Sequence, residues 1–171
     1  MALEIRTLGD PVLREKCRTV ETMDREVRDL VEKMEETLRE VPGRVGLAAS
    51  QVGVLKKLFI YDLGHGTRCL INPEIVETEN ENLCEEGCLS LPGVYISVPR
   101  FERVKVSCMT PSGQRIVLES VGFTAQVLQH ECDHLEGVLI IDRCDPDERK
   151  RALEQCQEHA IRREEAGAQR G

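Results

Sequence analysis

The segment Phe123-Thr124-Ala125-Gln126-Val127-Leu128-Gln129-His130-Glu131-Cys132-Asp133-His134-Leu135-Glu136 combines a helical pattern with a set of metal-ligating side chains. Phe123, Val127, Leu128 and Leu135 mark an apolar side at helical spacing, and Gly137 is a stop signal. Inside the helix, His130-Glu131-Cys132-Asp133-His134 has the form HExxH. At 3.6 residues per turn, positions four apart sit about 40° apart around the axis, so both imidazoles can converge on one ion. Glu131 lies next to that face, where a carboxylate that does not ligate can deprotonate water.

Two histidines do not complete a catalytic site, which needs a third protein ligand and an open position for water. Cys88, in Glu85-Glu86-Gly87-Cys88-Leu89-Ser90-Leu91-Pro92-Gly93, is one candidate. Gly87 permits close backbone approach beside the thiol, and Pro92-Gly93 is a turn signal. Chemistry alone does not choose it, because Cys84 is four residues away and Cys132 lies within the HExxH segment.

Working outward, residues 25 to 40 read as an amphipathic helix through Val27, Leu30, Val31, Met34 and Leu38, ended by Pro42-Gly43. Residues 57 to 63 and 69 to 71 read as short strands around a turn at Gly64-His65-Gly66. A β-hairpin is expected from 103 to 110, through Pro111-Ser112-Gly113, into 114 to 120. Residues 138 to 141 read as a short buried strand. Asp145 then caps a charged helix with Pro146 in its first turn, and Gly167 to Gly171 are expected to fray. Nothing in repeats or composition divides the chain, so 171 residues are expected to form one domain.

Composition narrows the function classes. With three Phe, two Tyr, no Trp and a net charge of −8, the chain lacks both the stacking platforms and the phosphate-tracking surface of a nucleic-acid binder. No basic leader followed by an apolar run opens the sequence, and no window approaches a membrane span. Cytoplasmic residence is the expectation, with eight reduced cysteines, most of them buried as small apolar residues.

Three segments taken together resemble the bacterial peptide deformylase signature. They are Gly46-Leu47-Ala48-Ala49-Ser50-Gln51, Glu86-Gly87-Cys88-Leu89-Ser90 and Gln129-His130-Glu131-Cys132-Asp133-His134, in matching order within a region from about Leu8 to Asp142. The resemblance implies an α+β fold, with short antiparallel β-sheets packed around a central metal-binding helix and followed by a C-terminal helix. It implies Cys88, His130 and His134 as metal ligands and Glu131 as acid-base catalyst. The Gln51 side chain and the Leu89 backbone N–H become oxyanion donors. Gly46 and Gly87 would pair with substrate backbone, Val45, Phe123 and Val127 would receive the methionine side chain, and Arg100 would lie beside the substrate.

The implied reaction hydrolyses the formyl group of N-formylmethionyl nascent polypeptides, with one divalent ion. Ferrous iron is the ion implied first, and zinc, nickel or cobalt can also occupy such a site. In some relatives the C-terminal helix contacts the ribosome; here it mixes Arg149, Lys150, Arg151, Arg162 and Arg163 with glutamates. Three positions depart from the family pattern: Arg44 stands where a glycine is usual, Ser50 where Pro or Thr is frequent, and Cys132 where a larger apolar residue is common. A protease cutting internal bonds would share HExxH, but the later histidine it would draw on is only His159, in a charged helix. A purely structural metal module would have no need of Glu131.

Overall fold

The computed structural model describes residues 1–168. Five antiparallel strands form one sheet in chain order: β1 Gly46–Ala48, β2 Leu58–Tyr61, β3 Arg68–Cys88, β4 Leu91–Met109 and β5 Arg115–Val121. Three α-helices accompany them, α1 Arg25–Arg39, α2 Gly122–Leu135 and α3 Pro146–Ala168. This is the expected α+β arrangement, with the antiparallel strands joined in a single sheet and the histidine-bearing helix α2 in contact with all five.

Strand β2 shows how the layers are built. Successive side chains of a strand point to opposite faces. Leu58 and Ile60 accordingly join α1 in one apolar cluster, while Phe59 and Tyr61 join α2 in another. All four are buried because both faces of this part of the sheet are covered. On one side α1 supplies Val27, Leu30, Val31, Met34 and Leu38, and Asp24 caps it by accepting from the Val27 N–H at 2.9 Å. On the other, α2 supplies Ala125, Leu128 and Leu135.

The expected hairpin is the second half of β4 with β5, closed where the Thr110 N–H donates to the Gln114 carbonyl and Gly113 takes a φ of 85°. The first half of that hairpin system is longer than its sequence pattern indicates. Residues 72 to 90 carry no alternating apolar pattern, whereas Val94, Ile96 and Val98 alternate with Tyr95 and Ser97 and bury one face of β4; both stretches lie outside the expected strands yet form most of the long β3–β4 pair. Residues 74 to 83 are exposed throughout. Cross-strand charge takes the place of apolar alternation there: Lys105 pairs with Glu77 at 2.7 Å, and Arg103 reaches both Glu79 and Glu119.

Residues 138 to 141 are not a strand. Leu139, Ile140 and Ile141 are buried as expected, but Ile140–Asp142 is a 3-10 turn. Asp142 closes it, its side chain accepting from the Leu139 N–H at 2.8 Å while its own N–H donates to the Leu139 carbonyl at 2.9 Å. Helix α3 begins as expected, with Asp145 accepting from the N–H groups of Asp147 and Glu148. Of the residues expected to fray, Gly167 and Ala168 end α3, and 169–171 lie outside the described residues. No helix among the described residues is long and apolar enough to cross a membrane.

Candidate metal centre

Cys88 is the last residue of β3, directly before a two-residue reversal at Leu89-Ser90 that returns the chain as β4, so that Cys88 faces Leu91. The true reversal thus lies ahead of Pro92-Gly93, which bulges between Leu91 and Tyr95. The Ser90 carbonyl is tied to the Leu8 N–H at 2.8 Å. Strand pairing carries the thiol to α2. Cys88 Sγ lies 3.3 Å from His134 Nε2, which lies 3.2 Å from His130 Nε2. All three donor atoms fall within 4.8 Å of one another.

An ion about 2.0–2.1 Å from nitrogen and about 2.3 Å from sulfur, ligated tetrahedrally, needs donor separations of roughly 3.3–3.6 Å. The two edges through His134 Nε2 come within a few tenths of an ångström of this range. Neither competing thiol joins it. Cys84 stands in register with Val98 four residues earlier in β3, and Cys132 packs into the apolar cluster beneath α2, where burial pushes its thiol up to about 12. All eight cysteines are free thiols, two of them fully buried.

His130 is oriented from behind, whereas His134 Nδ1 is buried with no hydrogen-bond partner among the described residues. Since Glu86 can only accept, His130 Nδ1 donates to its Oε2 at 2.8 Å, leaving Nε2 free to ligate. Glu86 is gripped in turn by Arg100, which donates from Nε at 2.7 Å and Nη2 at 3.0 Å. Burial alone would raise the Glu86 carboxyl; the hydrogen bonds from His130 and Arg100 outweigh it and hold it down to about 2. Arg100 also donates to Asp133 at 2.7 Å, and Asp133 receives two bonds from Arg143 at 2.6 Å. Burial, and then the nearby His130, lower the His134 pKa well below the ordinary imidazole value. Its backbone carbonyl accepts from Ser50 Oγ at 3.2 Å, joining the departed loop position to α2.

Glu131 is buried on α2 beside β1. A Cβ at Gly46 would overlap its Oε1, so only glycine lets this backbone approach the carboxylate. Glu131 Oε2 has no hydrogen-bond partner among the described residues, and burial raises its pKa to about 7. An unpaired buried acceptor of this kind is what a water in the cleft satisfies. Gln51 is equally constrained. Its Oε1 accepts from the Ala48 N–H at 2.9 Å, which turns Nε2 toward Ser90 Oγ at 3.1 Å and Cys88 Sγ at 3.7 Å.

Cys88, His130, Glu131 and Gln51 open on a cleft of about 970 Å³, while His134 is buried and does not line it. Val45, Gly46, Gln51, Gly87, Cys88, Leu89, Phe123, Val127, His130 and Glu131 all line it. Phe123 is largely exposed there. Arg100 is not on the cleft wall: it is 3 % exposed, enclosed by Glu86 and Asp133. The sequence reading gave no role to Glu86 and Asp133, although both sit inside the quoted motifs. An acidic residue two positions before the candidate thiol, and one next to a histidine of the HExxH segment, was the available signal. Tyr95, Arg163, Leu3, Glu4, Ile5 and Thr7 also line the cleft, a placement no local motif indicated. Arg44 sits on the rim too, and donates to the Thr37 carbonyl at the end of α1 at 2.6 Å.

An antiparallel sheet wrapped on a helix that presents a His2Cys donor set, a buried carboxylate and a fixed amide defines a metal-dependent hydrolase. Comparison with known proteins agrees. The sequence profile described as Polypeptide deformylase matches residues 2–150. Peptide deformylase 1 of Clostridium perfringens is 48% identical over 140 residues, 81% of this chain and 95% of that protein. The peptide deformylase of Thermotoga maritima is 44% identical over 146 residues, 85% and 88% of the two chains. The crystal structure of a peptide deformylase from Legionella pneumophila superimposes with a TM-score of 0.90 at 36% identity, over 97% of this chain and 98% of that one. The chain belongs to the polypeptide deformylase family.

Proposed function

We propose that this protein hydrolyses the formyl group from the N-terminal formylmethionine of newly made polypeptides, releasing formate and a free amino terminus, within one catalytic domain spanning residues 1–171. The observation that carries the reading is the convergence of the donors Cys88, His130 and His134, with Cys88 and His130 opening on the same cleft as Glu131 and Gln51. The three donors would hold one divalent ion. When bound, it supplies Lewis-acid polarisation and makes water acidic enough to be deprotonated near neutral pH.

Glu131 takes the proton of the attacking water, the new C–O bond forms at the formyl carbon, and the same carboxyl returns the proton to the leaving amine as the C–N bond breaks. Gln51 Nε2 and the Leu89 backbone N–H donate to the oxygen that gains charge in the transition state. Val45, Phe123 and Val127 receive the methionine side chain. Gly46 and Gly87 allow an extended substrate backbone to lie against the strands on either side. Arg100 does not touch substrate in this scheme; it fixes Glu86, and through it the His130 ring.

Ferrous iron is the ion we assign; zinc, nickel or cobalt can also occupy such a site, and ligand softness alone would favour zinc for a His2Cys set. Action on nascent chains implies the cytoplasm and a transient ribosome contact. On α3, Arg149 is engaged by Ile141 and Asp142 and Arg162 pairs with Glu158, so among the described residues Lys150, Arg151 and Arg163 are the basic residues free to make it.

The test is formate release from formyl-Met-Ala-Ser with anaerobically purified protein, alongside metal analysis. Hydrolysis of that peptide while N-acetyl-Met-Ala-Ser and internal peptide bonds survive is the expected result. Cleavage of internal bonds would replace the reading with a general metalloprotease. Activity that decays in air but persists anaerobically is expected for iron, and equal loss under both conditions counts against it.

A further inference from the structure

We infer that Arg163, reaching from α3 to the rim of the cleft, selects formylated chains that carry a carboxylate a few residues beyond the methionine. The inference rests on the deformylase reading and adds a substrate preference to it.

Its basis is the course of α3. Ala152 and Cys156 pack with Leu91, Val94 and Ile96, the start of β4 just after the Cys88 reversal. His159 follows at Gly93, where an added Cβ would meet its Nδ1 at 3.5 Å. Residues 152, 156, 159 and 163 recur at helical spacing, so one turn beyond His159 the same face presents Arg163. Arg163 lines the same cleft as Cys88 and Glu131.

It is also the cation there with nothing to hold it. Arg44, the other rim arginine, is tied to the Thr37 carbonyl and faces Glu40 at 3.8 Å. Arg163 has no ion pair and no side-chain hydrogen bond among the described residues, and is exposed. Elsewhere Glu4, Glu40 and Glu85 give the rim the opposite sign. The cleft therefore sorts charge by place: a substrate carboxylate is favoured opposite α3 and disfavoured near the other walls. The overall charge of −8 would disfavour it everywhere, so a preference confined to one substrate position is the signature of Arg163.

The test uses the metal-loaded full chain and formyl-Met peptides with amidated ends, comparing Asp with Lys at the second, third or fourth residue. At one position Asp is expected to be favoured over Lys by about three-fold in kcat/KM at low salt, through KM with little change in kcat, and the preference should fade at high salt. Arg163→Ala should bring that ratio to about one, Arg163→Glu should invert it, and Arg163→Lys should keep it. No Asp preference at any position, or one unmoved by Arg163→Ala and Arg163→Glu, overturns the inference while leaving the deformylase reading intact. Failure of the unaltered protein to release formate from any of these peptides overturns both.

Discussion

Gly46 and Glu86 show two ways in which single residues set this site. Gly46 contributes an absence: a Cβ there would overlap Glu131 Oε1 and stand 2.9 Å from its Cδ. Because the backbone of β1 is paired to β2, the carboxylate is the group that must move. Gly46→Ala is therefore expected to lower kcat/KM about 100-fold, as a small misplacement of a reacting group does, while metal content is unchanged. Formate release and metal analysis on the same sample check it, and full activity would remove Glu131 from the assigned role. Glu86 contributes charge. Glu86→Gln leaves Arg100 buried with only Asp133 and releases the His130 ring, so unfolding stability in urea should fall by about 3 kcal/mol. Metal affinity, read by competition with a chelating dye, should fall by roughly 10- to 100-fold.

At the scale of elements, the long β3–β4 pair delivers Cys88, and the segment after α2 anchors α3 along it. Asp142 joins three parts of that anchor. It accepts from Arg14 of the amino-terminal region, from the Leu139 N–H, and from Arg149 of α3 at 3.0 Å. Burial acts to raise the Asp142 carboxyl, but the Arg14 bond, the Leu139 N–H and Arg149 together keep it below 3.8. A group whose folded pKa is depressed contributes stability above its unfolded pKa and loses it as the pH falls through the folded value. The contribution of Asp142 should be complete at neutral pH and vanish in strongly acidic solution below about pH 4. Melting temperatures of the protein and of Asp142→Asn should converge as the pH is lowered through that range; a difference that persists at low pH would show packing rather than charge at work.

The whole molecule explains what its sequence could and could not convey. Helix α2 was legible because its apolar spacing and its histidine spacing are both local, and so was α1. Cys88 was not distinguishable from Cys84 by local pattern, because its meeting with His134 across 46 residues depends on where β3 ends. Residues 74 to 83 gave no strand signal because that exposed part of the pair has no buried face and carries cross-strand ion pairs such as Lys105–Glu77 and Arg103–Glu79 instead, whereas Val94, Ile96 and Val98 do alternate as a buried face of β4. Ile140 and Ile141 read as buried, but burial does not separate a strand from the turn that Asp142 closes. What unites these distant parts is the donor triangle, with Cys88 from the sheet and both histidines from α2. An ion bound there links the two layers and stabilises the folded state by mass action, about 2.7 kcal/mol when present at 100 times its dissociation constant. For a chain of this size that corresponds to roughly 5 to 10 °C. Stripping the protein with a chelator under anaerobic conditions should lower the melting temperature by that amount, and ferrous iron or zinc should restore it. Cys88→Ser should melt close to the stripped protein and gain little from added metal, whereas Cys84→Ser should respond as the unaltered chain does. Equal metal-dependent stabilisation in the Cys88 variant would mean that the two histidines alone hold the ion and that the end of β3 is not part of the centre.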